Sequence, residues 1–326
     1  MARTYASAKQ WPEAIEWLKK TTAAGFDPSR DPLFSDIRNT AEFASILAAV
    51  REANPAVSHS AQAFEIAEGD LVPESMAYDS HRRQFYFGSM RKGKIVRCSA
   101  KGECETFADG LGEVLGLKFR GDGLWALANS EQESALIHFA QDSRPKFAIS
   151  GPGHTFNDLD FAPEGDVYFT DTTAGVVWHL APGASRLTQL AHPFDSANGI
   201  ALSDDGRLLF VSSFGDGISV MDLKTRKVVP LAHPPELSLG LIDGLYFHHG
   251  SLVAIQNGLM TPRVIRFKLT KDLHGIEKYD VLERGNPLFD GVTTGVISGS
   301  DFYYMANIQD AKKSDFAPLI ILKLHL

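Results

Sequence analysis

A six-bladed β-propeller carrying a small N-terminal α-helical extension, and so an all-β fold class, is what this sequence predicts. Three observations lead there. A five-residue pattern recurs six times between residues 74 and 298, short β-rich runs separated by Gly, Asp and Asn turns fill the chain from about residue 70, and one spare strand precedes the first repeat.

The recurring segments are Glu74-Ser-Met-Ala-Tyr, Leu115-Gly-Leu-Lys-Phe, Asn157-Asp-Leu-Asp-Phe, Asn198-Gly-Ile-Ala-Leu, Asp243-Gly-Leu-Tyr-Phe and Thr294-Gly-Val-Ile-Ser. Their first residues are spaced by 41, 42, 41, 45 and 51, within the range of propeller blades. Each segment runs into a tight polar turn, such as Pro163-Glu-Gly-Asp166 or Ser203-Asp-Asp-Gly206, and then a strongly apolar strand, such as Val167-Tyr-Phe or Leu208-Leu-Phe-Val. Further strands follow in most units, for example Lys94-Ile-Val-Arg and Gly217-Ile-Ser-Val-Met, so each unit reads as a four-stranded antiparallel blade. The last unit shows three strands before Leu326. Gln62 to Glu68 is the expected fourth, which would zip the ring shut and bury its edges. Residues 61–326 are therefore assigned to the propeller.

Residues 1–60 differ in kind. Ala2 to Gln10 and Pro12 to Ala24 read as helices, the second started by Trp11-Pro12, patterned by Ile15 and Leu18, and stopped at Gly25. A third, Thr40 to Ala53, places Phe43, Ile46, Leu47 and Val50 at helical spacing and ends before Asn54-Pro55. Tyr5-Ala6, Ala8, Trp11, Trp17-Leu18 and Phe26-Asp27-Pro28 resemble the end of a tetratricopeptide repeat. One incomplete pair is expected to pack on the main domain, with a protein partner through these helices as the second reading.

Composition removes several classes of function. The formal charge of −8 and pI near 5.8 leave no continuous basic stripe, so nucleic acid is not an expected partner. No apolar run approaches the length of a membrane-spanning helix. The chain opens without a signal-peptide core, so a cytoplasmic place is expected, or a periplasmic or secreted one where a leader has been removed. The two cysteines, Cys98 and Cys104, flank a hairpin turn at Lys101 and Gly102. A cross-strand bridge is conceivable there, with free thiols the favoured reading. Gly110-Leu-Gly112 with Gly116 opens no helix and is no phosphate loop, and no nucleophile-elbow or zinc-protease pattern occurs.

The chemistry sits in the repeat itself. The first strand of a propeller blade is innermost, so residues at its start converge at one mouth of the channel. Glu74, Asn157, Asn198 and Asp243 share that place, with Leu115 and Thr294 in the other two blades. Two carboxylates and two amides form a hard oxygen set suited to one divalent metal ion. Calcium is the first choice, with magnesium, manganese and zinc as alternatives. A cation also resolves the repulsion of two crowded carboxylates. Asn-Gly and Asp-Gly are turn signals as well, but turns already follow each segment, so these residues begin strands. His154, three residues before Asn157, is a candidate substrate contact or proton carrier, and Asp158 either touches the ion or orients a ligand.

On these residues the chain resembles the senescence marker protein (regucalcin), gluconolactonase, paraoxonase and strictosidine synthase-like propellers, over about residues 62–326. Phe194-Asp-Ser-Ala-Asn-Gly-Ile-Ala-Leu-Ser-Asp-Asp-Gly206 carries the most specific likeness, with Pro73-Glu74, Asn157-Asp158 and Ile242-Asp243-Gly244 matching the other ligand strands. The resemblance implies a metal-dependent hydrolase acting on a lactone or related ester, with Asp243 as ligand and general base and His154, Thr155 and Thr294 around the substrate. Thr155 stands where the sugar-lactone hydrolases of this group carry an arginine, which argues against a sugar lactone. The alternatives are a non-catalytic metal-stabilised binding propeller and a strictosidine synthase-like activity.

Overall fold

Six four-stranded antiparallel sheets make up the propeller in a computed structural model that describes residues 1–21, 26–121, 123–190, 194–259, 261–308 and 315–326. Blade 1 comprises Pro73–Asp79, Gln84–Ser89, Ile95–Cys98 and Cys104–Ala108, and blades 2 to 5 follow in the same chain order, innermost strand first. Blade 6 is built from both ends of the domain. Gly295–Ser298, Asp301–Met305 and Leu319–His325 are joined by Ala61–Ile66, which pairs with the last strand through Phe64 opposite Ile321 and Ile66 opposite Leu319. The expected closing strand is present.

No single core holds this ring together. Six apolar clusters lie between successive blades: Ile242, Ile265 and Phe267 of blade 5 pack on Leu208, Phe210 and Ile218 of blade 4, and the others follow suit. The sixth seals the closure, with Phe64, Ile66 and Ile321 on Met76, Phe85 and Phe87 of blade 1. Both faces of each middle strand are thus covered. That is why Leu208–Ser213 is buried along its whole length and reads as an unbroken apolar run rather than an alternating one.

The helical extension has its own cluster. Helix α1 spans Ala2–Ser7, α2 Trp11–Thr21 and α3 Ala41–Ala53, with 3₁₀ turns at Pro28–Arg30 and Pro32–Ile37 between α2 and α3. Helix α1 stops three residues short of the expected Gln10, and Lys9 turns into a positive φ of 56°. The expected end of the second helix at Ala24 lies outside the described residues. Thr40 caps α3 by accepting the Phe43 N–H at 3.2 Å. Ala14, Leu18, Phe34, Phe43, Ile46 and Val50 pack on one another, and the apolar side chains around them all come from residues 2–50. The link to the propeller runs through the following segment. Val57 pairs with Arg284, and the Glu283 carboxylate accepts the N–H groups of His59 at 3.0 Å and Ser60 at 2.9 Å.

The cysteines correct the free-thiol reading. Cys98 and Cys104 sit directly opposite each other on the outer two strands of blade 1, Cα atoms 4.1 Å apart, and are bridged. A two-residue hairpin expectation located them, but only the register shows that they face the same way. No helix among the described residues is long and apolar enough to cross a membrane.

Candidate metal centre in the central channel

The five innermost strands of blades 1 to 5 each carry a register shift, and it falls where the repeat begins. The shifts lie between Pro73 and Ser75, Val114 and Gly116, Phe156 and Leu159, Ala197 and Ile200, and Ile242 and Leu245. Glu74, Leu115, Asn157, Asn198 and Asp243 are therefore bulge residues. A bulge leaves its extra residue out of the ladder and re-aims the side chain, here toward the channel axis. Blade 6 has no such shift beside Thr294.

The bulged backbone is held by the preceding blade. Thr170 donates to the Asn198 carbonyl at 2.6 Å, Ser212 to that of Ile242 at 3.2 Å, Asn129 to that of Phe156 at 2.9 Å, and Thr294 to that of Glu74 at 2.8 Å. Glycine following the bulge permits this approach: a Cβ on Gly116 would stand 2.6 Å from the Asn157 carbonyl oxygen.

Glu74, Asn157, Asn198, Asp243 and Thr294 all line one cavity of about 520 Å³, together with Asp158. The structure thus brings the predicted oxygen set together. Two of the expected substrate contacts lie elsewhere. His154 donates or accepts at Nδ1 with the buried Asp171 at 2.6 Å, Thr155 bonds Thr173 at 2.7 Å, and neither lines the cavity. Asp171 also accepts the Trp178 indole N–H at 3.1 Å and the Thr155 N–H at 2.9 Å, so His154 belongs to a polar knot that fixes the rim of blade 3. Asp158 accepts the Ile200 N–H at 3.2 Å and ties blade 3 to blade 4.

Two residues at the centre escaped the sequence reading. The Thr293 hydroxyl lies 2.7 Å from Glu74 Oε2 and 2.6 Å from Asp243 Oδ2, and Asn257 Nδ2 donates to Asp243 Oδ2 at 2.6 Å. Asn257 occupies the place in blade 5 that Thr172 occupies in blade 3, one residue past the second strand, where Thr172 accepts from Asn157 Nδ2 at 3.0 Å. The residue just past the second strand is thus a second repeat position, legible in the sequence, that supplies supports to the first.

The electrostatics follow from that geometry. A hydroxyl carries one proton, so Thr293 donates to one carboxylate, and its other contact needs a proton on the second. Burial, and then the charge of Asp243, push the Glu74 carboxyl up to about 8. Burial also raises Asp243, against the opposing hydrogen bonds from Thr293, Asn257 and Asn198. Without a cation, Glu74 therefore holds its proton near neutral pH. Asp158 is pushed up to about 7 by burial, opposed by the charge of Lys118. Lys118 does enter the cavity, but its ammonium is taken by Asp160 at 2.6 Å.

This donor set fits a hard divalent cation. Asn157 gives its N–H to Thr172, leaving its amide oxygen without a partner among the described residues, and no Lys, Arg or His pairs with Glu74 or Asp243 there. Among the described residues no three His, Cys, Asp or Glu side chains converge as a metal cluster. The centre has two acidic members and depends on amide oxygens for the rest, a pattern of calcium and magnesium chemistry rather than zinc.

Comparisons with known proteins agree with this architecture. Residues 72–266 match the SMP-30/Gluconolactonase/LRE-like region, more than half of the chain. The protein belongs to that family. No curated protein sequence matches the chain. Among solved structures, a gluconolactonase from Xanthomonas campestris is similar over 82% of this chain and 91% of its own, at 18% identity and a TM-score of 0.59. A luciferin-regenerating enzyme is similar over 78% and 91%, at 15% identity and a TM-score of 0.56. The major allergen Mala s 1 of Malassezia sympodialis is similar over 79% and 95%, at 15% identity and a TM-score of 0.61. At these identities the structural likeness speaks for the six-bladed fold alone.

Proposed function

We propose that the protein is a metal-dependent hydrolase acting on a lactone or related cyclic ester, with one divalent cation, calcium first, held by Glu74, Asn157, Asn198 and Asp243. The carrying observation is the bulge column: four separate repeats of the chain bring their oxygen-bearing side chains to one cavity, where two carboxylates share a single Thr293 hydroxyl. Membership of a gluconolactonase-like family supports the same reading.

A divalent cation in such a site polarises an ester carbonyl and stabilises the charge that develops on its oxygen. The chain's own residues do the rest. Asn257 and Thr293 both meet Asp243 Oδ2 and fix the carboxylate plane, which turns Oδ1, on the side of Asn198, toward a ligand or an attacking water. Glu74 gives up its proton when a cation enters. Tyr78, Leu117, Phe119, Phe161, Leu245 and Phe247 line the cavity beyond the oxygen set and exclude water from an apolar arm of a substrate. That lining favours an alkyl-substituted lactone over a polyhydroxylated one.

The test is hydrolysis of a panel of alkyl and sugar lactones by protein stripped with chelator and then reloaded with calcium, magnesium or manganese. Reloaded protein is expected to turn over the alkyl lactones, and Asp243→Ala to lose both metal and activity. Undiminished hydrolysis in chelator would overturn the proposal.

A further inference from the structure

Away from the channel, two arginines share an arrangement that the hydrolase reading does not use. Arg263 and Arg284 stand directly opposite each other on the outer strands of blade 5, at 7% and 8% exposure. Directly opposed like charges repel, and a desolvated guanidinium normally has a carboxylate beside it. Neither has one among the described residues. Arg266, three residues along the same strand and partly exposed, does pair, with Asp280 at 3.3 Å. Glu283, the nearest carboxylate in sequence, is turned to His59, Ser60 and Asn286.

The two arginines are not equivalent. Arg284 is largely satisfied: Nε and Nη2 donate to the Pro55 carbonyl at 2.9 and 2.8 Å and Nη1 to Asn54 Oδ1 at 3.3 Å, which clamps the exit of α3 to the propeller. Arg263 makes one hydrogen bond, Nε to Gln256 Oε1 at 2.7 Å. Gln256 is fixed in turn, its amide N–H groups going to the carbonyls of Ser238 at 3.1 Å and Gly240 at 2.5 Å. The guanidinium is therefore aimed by a buried amide, while its four terminal N–H donors have no partner among the described residues. They are not sealed from solvent either, since Arg263 has no buried nitrogen left unsatisfied.

We propose that this arginine pair on the outer strands of blade 5 is an oxyanion site, in which the terminal N–H groups of Arg263, backed by the charge of Arg284, take a carboxylate or a phosphate. An aimed planar fork of paired N–H donors suits two oxygens of one anion. A second positive charge directly across the ladder draws an anion in and is neutralised by it. Because Arg284 also holds Asn54 and Pro55, an anion there would tighten the junction between the helical extension and the propeller.

The experiment uses the full chain in chelator, so that the channel cation plays no part and the hydrolase reading stands apart. Melting is followed against inorganic phosphate and, separately, against acetate, with ionic strength held constant by chloride. A saturable rise of about 5 °C at a hundred times the dissociation constant is expected from at least one of them. The responding anion tells phosphate from carboxylate. Arg263→Met, which keeps the stem and removes the fork, is expected to abolish the rise while melting no lower than the parent in chloride. Equal response of both anions and chloride, or a rise that survives in Arg263→Met, would overturn the site. Calorimetric titration of the parent protein decides the matter should the variant not fold, since absence of a one-site isotherm for either anion refutes the proposal directly.

Discussion

Stripping the channel of cations should make stability fall as pH rises from about 5 to 8. Glu74 has its carboxyl raised from 4.5 to about 8. A group raised on folding adds stability below its unfolded pKa, and that stability is lost as pH climbs through the folded value. Over the interval from 4.5 to about 8 the loss is at most about 5 kcal/mol, at about 1.4 kcal/mol per pH unit. For a domain of this size it corresponds to a melting temperature lower by up to about 10 °C. Asp158, raised to about 7, acts in the same direction. The carboxylates held below their ordinary range, such as Glu68, Asp79 and Glu283, lose stability only as pH falls through their folded values, so they are silent above pH 5. Calorimetry in chelator between pH 5 and 9 reads the slope. Glu74→Gln should flatten much of it, and calcium should reverse it, because the cation displaces the proton and binds better as pH rises. A Glu74→Gln protein with the parent's slope would refute the assignment of the proton to Glu74.

Thr293→Val removes the hydroxyl between Glu74 and Asp243 while keeping the shape. Cation affinity, measured by titration calorimetry at pH 8, is expected to drop about 10- to 100-fold, the usual cost of losing a group that orients a ligand; unchanged affinity would make the hydroxyl a bystander. The closing strand supplies a third expectation. Removing residues 1–53 should leave the propeller melting as one unit, whereas removing 1–66 strips Phe64 and Ile66 from the seam with blade 1 and forfeits about 3–6 kcal/mol of apolar burial. Identical melting of the two truncations would show that the ring closes without Ala61–Ile66.

The fold was legible because a propeller repeats its physics as well as its sequence. Each middle strand is packed on both faces, so six apolar runs stand out, and five of the six innermost strands begin at a bulge, so their unusual residues fall into one column. Glu74, Asn157, Asn198 and Asp243 could be collected for that reason without knowing that a bulge aims them. His154 shows the limit of the same method. Its nearness to Asn157 in the chain suggested the cavity, but Asp171, at the end of the adjacent strand, captures the imidazole and holds it at the rim. Nothing in the local sequence announces that partner 17 residues away. The cysteine pair is a register effect of the same kind, settled by which residues face each other across a hairpin.

Thr293 marks where the repeat logic itself misleads. The column points to Thr294 in blade 6, yet that hydroxyl goes to the Glu74 backbone, and the residue before it reaches both carboxylates. Blade 6 lacks the bulge that the other five innermost strands share. Without an extra residue the strand starts one position later relative to the channel, and the side chain presented at that level comes from one residue earlier in the chain. The blade that completes the ring is also the one that departs from it, and the departure places a single neutral hydroxyl between the only two acids of the oxygen set. A carboxylate in that place would have added a third negative charge to a buried pair. A threonine orients both acids and leaves the charge of the site at a value that one divalent cation balances.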